Sequence, residues 1–139
     1  MTVWLEKPLA LAIHDRQLAE FGGSDGIRDE RLLESALARP QQLAAYGEPA
    51  PDMAALAASL AFGLARNHPF VDGNKRTATV SCETFLRLNG MRLLASDLEF
   101  YPTVLALAEG KLSEADFAAW LRAFLRPAAV HEARPRYSR

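Results

Sequence analysis

From Met53 to Ala65 the chain reads MAALAASLAFGLA, without a charged residue. At 3.6 residues per turn such a stretch is apolar on every side, the pattern of a helix surrounded by other elements. A chain that carries it must build a helical layer around it. Asp52 can cap its start, and Arg66 and Asn67 mark its solvent end, so the spacing predicts a helix from Met53 to about Asn67. The run is too short to span a bilayer. With 139 residues the chain has enough material for one core and too little for two.

Alanine and leucine dominate the rest and β-branched residues are sparse, which predicts an all-α fold. Pro8 suits the first turn of a helix that runs to about Phe21, with Leu11, Leu18 and Phe21 near one face, and Gly22-Gly23 ends it. The turn-rich GGSDG precedes a helix from Asp29 to Arg39, with Pro40 beyond its end. Residues 40–52, PQQLAAYGEPAPD, form a long connection. A helix from Asn74 to Leu88 repeats Ala78, Cys82 and Phe85 on one face and closes at Asn89-Gly90. MRLLA, residues 91–95, fits a short strand, with Val3 to Leu5 as its partner. Leu98 to Glu109 reads as helix, stopped by Gly110. Ser113 to Asp116 resembles a capping box opening a last helix to about Arg126. The pattern makes residues 1–126 one domain of about six helices with at most one short strand pair, and residues 127–139 a loose tail.

Sixteen Lys and Arg against seventeen Asp and Glu give a net charge of −1. Such balance argues against a dedicated nucleic-acid binder. The single cysteine, Cys82, excludes an intramolecular disulfide and a thiolate-rich zinc site, and its helical setting predicts a buried small side chain. The N-terminus lacks the pattern of a signal peptide. These features predict a cytoplasmic protein with no membrane or direct nucleic-acid partner.

The chemistry concentrates in HPFVDGNKRTATV, from His68 to Val80. Its second half opens a helix, where backbone N–H groups lack internal partners and the dipole is positive, a setting that favours phosphate. Gly73 lets phosphate approach the backbone. Asn74 can donate through its amide, and Lys75 and Arg76 can carry charge to a polyphosphate. Asp72 sits where phosphate should, and Mg²⁺ reconciles two such anions. Histidine titrates near neutral pH, so His68 can accept a proton from an attacking hydroxyl. Together these are the parts of a phosphoryl-transfer site. Taken singly, Asp72 also reads as a helix N-cap, His68 as a turn residue and Phe70 as a core anchor.

The same residues resemble the core motif of the Fic/Doc superfamily, H-x-F-x-(D/E)-G-N-G-R-x-x-R. His68, Phe70, Asp72, Gly73, Asn74 and Arg76 match it. Lys75 replaces the second glycine and Thr79 the last arginine, and both departures resemble the death-on-curing (Doc) branch, whose motif reads N-K-R-T-A. HDRQLAEFGG and IRDERLLESALARPQ also resemble that family, so the likeness covers about residues 4–125. The family fold is a compact bundle of about six helices with the motif between two central ones.

The resemblance implies a toxin of a toxin–antitoxin pair. Its activity would be a Mg²⁺-dependent protein kinase that moves the γ-phosphate of ATP to a hydroxyl, a threonine of elongation factor Tu, and halts translation. It implies His68 as base, Asp72 as metal ligand, Gly73 and Asn74 as phosphate contacts, and Lys75 and Arg76 as both phosphate contacts and catalytic cations. Arg66 resembles a further phosphate contact, or a solvated helix end. The Pro40–Asp52 connection lies where relatives carry a flap that docks the target by strand-like pairing, or is an ordinary loop. The inhibitory pattern (S/T)-x-x-x-E-(G/N) fails at Glu109-Gly110, which has Leu105 four residues before the glutamate. Inhibition then comes from another chain or not at all, and the resemblance implies a Phd-like antitoxin whose C-terminal helix lies in a groove. Two other readings remain open: a Fic-type nucleotidyltransferase that transfers AMP, and an inactive module that only binds its antitoxin.

Overall fold

The computed structural model describes residues 1–128. In chain order the elements are α1 (Lys7–Phe21), α2 (Glu30–Tyr46), α3 (Met53–Asn67), α4 (Asn74–Leu88), β1 (Met91–Leu93), α5 (Asp97–Ala108), α6 (Glu114–Phe124) and β2 (Leu125–Pro127). The all-α expectation holds, with one two-stranded antiparallel sheet.

The uncharged helix does what its pattern demands. α3 packs against α2, α4, α5 and α6, and ten of its residues from Ala54 to Ala65 are buried. Asp52 accepts a hydrogen bond from Ala55 N at 2.9 Å and so caps it. Gly63 lets α3 lie close against α2. A Cβ there would lie 2.9 Å from Ala36 Cα on α2. α4 brings Ala78, Cys82 and Phe85 to the core, all fully buried. Burial pushes the Cys82 thiol up, which keeps it neutral and unreactive. α1 lies on α4, but its buried face is Ala10, Ile13, His14 and Gln17, and Phe21 is half exposed.

Several boundaries differ from the sequence reading. α2 continues through Pro40 to Tyr46, leaving only residues 47–52 irregular. A proline costs a helix one hydrogen bond, but here tertiary anchors hold the chain across the break. Arg39 pairs with Glu114 at 2.7 Å, donates to Ser59 O and lies 4.7 Å from the Phe62 ring centre. β1 pairs with β2, Leu93 opposite Leu125, and not with the N-terminus. The side chain of Asn89 takes that end instead. It accepts from Val3 N at 2.7 Å and donates to Val3 O at 2.9 Å. α6 therefore stops at Phe124, and Pro127 belongs to β2. Residues 129–139, most of the expected tail, lie outside the described residues. The reciprocal cap expected at Ser113 is found at Ser96, whose N–H and Oγ both bond Glu99 Oε1. Ser113 contributes only its hydroxyl, accepting from Asp116 N.

Two predictions follow from this packing. Gly63→Ala gains about 1 kcal/mol of helix propensity but presses on α2 backbone, where overpacking costs about 1–3 kcal/mol, so it should lower the melting temperature. The second concerns Asp52, which is clamped bidentately by Arg122 Nε at 2.6 Å and Nη2 at 3.0 Å. Those hydrogen bonds hold its carboxyl below its ordinary value of 3.8. The pair therefore stabilises fully above that value, and its contribution is lost as pH falls below it. Asp52→Asn keeps a capping residue but loses the pair. It should cost about 0.5–1 kcal/mol at pH 7, since both partners are half exposed, and much less near pH 3, read from thermal melts at each pH.

Candidate active site

The loop between α3 and α4 is pinned at its middle. Phe70 is 1 % exposed, and its ring stacks on His14 at 3.7 Å between centroids. Asn74 grips the same residue from the other side. Its Oδ1 accepts from Phe70 N at 2.9 Å and its Nδ2 donates to Phe70 O at 3.0 Å. The amide expected to hold phosphate thus braces the loop. A second brace comes from the segment after α1. Ile27 and Phe70 form an antiparallel bridge, Pro69 O accepts from Arg28 N and Asp29 N, and Val71 N donates to Gly26 O.

His68 stands at the left-handed end of α3, with φ 50° and ψ 57°. A non-glycine residue there carries strain. Arg28 offsets it by donating to the carbonyls of His68 at 2.7 Å and Asn67 at 2.8 Å, which also places a cation on the negative end of α3. The exposed imidazole lines a cleft of about 450 Å³.

Asp72 faces the same cleft. Its Oδ1 accepts from Gly73 N at 2.9 Å and its Oδ2 from Ser24 N at 3.2 Å. Its backbone carbonyl bonds His14 Nε2 at 2.8 Å. A carbonyl only accepts, so Nε2 carries the proton. Asp72 is not the helix cap. Gly73 holds that position at φ 78°, with no side-chain cap on the first turn of α4. A Cβ at Gly73 would sit 3.3 Å from Leu18. Asn74, Lys75 and Arg76, whose backbone N–H groups this leaves without a side-chain cap, line the cleft together with Gly73.

The structure gathers His68, Asp72, Gly73, Asn74, Lys75 and Arg76 in one cleft. It does not bring Arg66 there. That side chain lies over Phe62 at 5.1 Å, turned toward Gly110. Nor does any residue of 40–52 line the cleft, and 40–46 are helical, so the strand-like flap has no counterpart beside this site. Thr79 donates back to Lys75 O at 2.8 Å. Sequence reasoning missed Gly23 and Ser24, read only as a helix stop and turn. A Cβ on Gly23 would come within 2.9 Å of Asp72 Oδ2, so the glycine is what allows the loop to close on the carboxylate. It also missed His14, Gln17, Arg28 and Tyr101. The Gly-Gly pair and the polar residues on the buried side of α1 were the available signals.

Arg28→Ala should lower stability by about 1–2 kcal/mol, the worth of charge-assisted bonds at an exposed site. It should also reduce any activity that depends on His68. Chemical denaturation beside an activity assay checks both.

Comparison with known proteins places these residues in context. The Fic/DOC family model matches residues 4–86. The chain is 51 % identical over 76 residues to Toxin Doc of Mycolicibacterium smegmatis (strain ATCC 700084 / mc(2)155), which covers 54 % of this chain and 58 % of that protein. It thus spans less than two thirds of that relative's length. It is 35 % identical over 112 residues to Protein kinase doc of Escherichia phage P1, covering 81 % of this chain and 87 % of that one.

Proposed function

The chain belongs to the Fic/DOC family, and on that footing we propose that it is a Doc-type toxin acting as a protein kinase. It transfers the γ-phosphoryl group of ATP to a protein hydroxyl, with a threonine of elongation factor Tu as the proposed acceptor, and works in the cytoplasm. Relatives named Toxin Doc and Protein kinase doc support this reading. The observation that carries it is the convergence of an imidazole, a carboxylate and the uncapped, doubly cationic start of α4 on one cleft.

Each residue has a task there. His68 takes the hydroxyl proton on a ring nitrogen as the oxygen attacks. The N–H groups at the start of α4 bind phosphate oxygens, with Gly73 keeping the approach open. Lys75 and Arg76 offset charge that develops on the transferring group. Among the described residues the exposed Asp72 carboxylate accepts two backbone hydrogen bonds, which leaves it lone pairs for a hard cation shared with phosphate. Mg²⁺ held there would supply charge neutralisation. Arg66 stands outside this arrangement, over Phe62.

The antitoxin is proposed to be Phd-like. An adjoining pocket of about 420 Å³ offers a seat for an amphipathic partner helix, with Phe21, Val80, Leu98 and Tyr101 as its apolar wall and Glu20, Glu83 and Asp97 as acids beside it. Leu98 is 89 % exposed in the single chain.

The test is incubation with α-labelled or γ-labelled ATP, Mg²⁺ and a cell extract. The γ label should move to one protein, and His68→Ala should slow this at least about a hundredfold while melting like wild type. Transfer of the α label would make the protein a nucleotidyltransferase. No transfer of either label, with no growth arrest on expression, would leave only a binding module.

A further inference from the structure

Arg76 is held unlike the other arginines that touch rings. Its guanidinium carbon lies 3.8 Å from the Phe21 centroid and 4.2 Å from the Tyr101 centroid, so it is sandwiched between two aromatic faces. Among the described residues it has no carboxylate partner. Arg39 also lies over a ring, but Glu114 and Ser59 O already match its donors. Arg66 rests on a single ring outside the cleft.

The distinction has a physical consequence. A ring face attracts a cation through its quadrupole but takes none of its N–H donors, which lie in the guanidinium plane. A carboxylate would occupy those donors and offset the charge. Two faces therefore fix the plane of Arg76 while leaving its donors for an anion. Phe21 closes α1, Tyr101 belongs to α5, and both helices pack on α4, so the fold itself sets the gap. Core burial does not explain Phe21, which is 50 % exposed. The clamp also has something to prevent. Glu20, Glu83 and Asp97 line the adjoining pocket together with Arg76. An arm freed from the rings could turn to these acids and be neutralised.

We propose that Phe21 and Tyr101 are positioning residues that hold Arg76 as a preorganised receptor for the polyphosphate bound in the cleft. The proposal rests on reading that cleft as a triphosphate site.

The probe is inorganic tripolyphosphate with Mg²⁺, titrated calorimetrically into the full chain. Tyr101→Leu should weaken binding about tenfold, and Tyr101→Phe, which keeps the ring, should stay within about twofold of wild type. Phe21→Leu, at a half-exposed site, should fold and weaken binding similarly. The decisive variant is the double one. If the ring acts through Arg76, Tyr101→Leu should add nothing in an Arg76→Ala background. Full additivity, wild-type binding by both leucine variants, or undiminished binding by Arg76→Ala would each overturn the proposal. Wild-type protein that binds tripolyphosphate but transfers no phosphoryl group would refute the kinase reading and leave the clamp standing. Phosphoryl transfer with an Arg76→Ala variant of unchanged affinity would do the reverse.

Discussion

The site depends on one buried ring. Phe70 is wedged under His14 and gripped at both backbone polar groups by Asn74. A turn fixed at its centre leaves its ends few options. His68 and Gly73, on either side, both adopt left-handed conformations. Such geometry in a histidine persists only where neighbours impose it, and here Arg28 and the Phe70 anchor do so. The strained imidazole, the carboxylate and the open helix start are thus consequences of a packing contact that itself touches no ligand.

α1 contributes more to this than its sequence suggested. An all-round apolar helix announces its burial, and α3 was legible for that reason, as were both bounds of α4 and the cap at Asp52. α1 was harder, because its inner face carries His14 and Gln17. Periodicity in apolar residues pointed instead to Leu18, which lies beside Gly23 and Gly73, and to Phe21, which lines the cleft. Pro40 misled for the opposite reason. Local chemistry ends a helix there, but Arg39 is held by three separate contacts, and tertiary anchoring prevailed. The strand partner was illegible because the competing segment, Val3 to Leu5, is captured by one side chain, Asn89. Within the motif, the sequence named the residues that converge. It could not show that Asn74 turns inward or that Arg66 points away, because both depend on where neighbouring elements lie.

The near-neutral chain keeps its positive field local. Lys75 and Arg76 stand at the start of a helix, where the dipole disfavours cations. The cost is met by what surrounds them: ring faces on Arg76, and the Asp72 carboxylate across the same cleft. This arrangement attracts an anion without a basic surface, which fits a small charged ligand better than a nucleic-acid backbone.

The two departures from the general motif can be read in the same terms. Thr79 is short, and its hydroxyl is engaged by the carbonyl of Lys75 one turn earlier. It adds no charge to the wall that Arg76 shares with Glu20, Glu83 and Asp97, and the pocket there stays open. Lys75 places a flexible cation where glycine would leave bare backbone. The positive charge is therefore confined to the first turn of α4, next to Gly73 and facing Asp72. On the proposed reading of the cleft, a polyphosphate chain would be held at the end where those charges lie, and the placement of Lys75 and Thr79 would decide which of its phosphorus atoms comes nearest the imidazole.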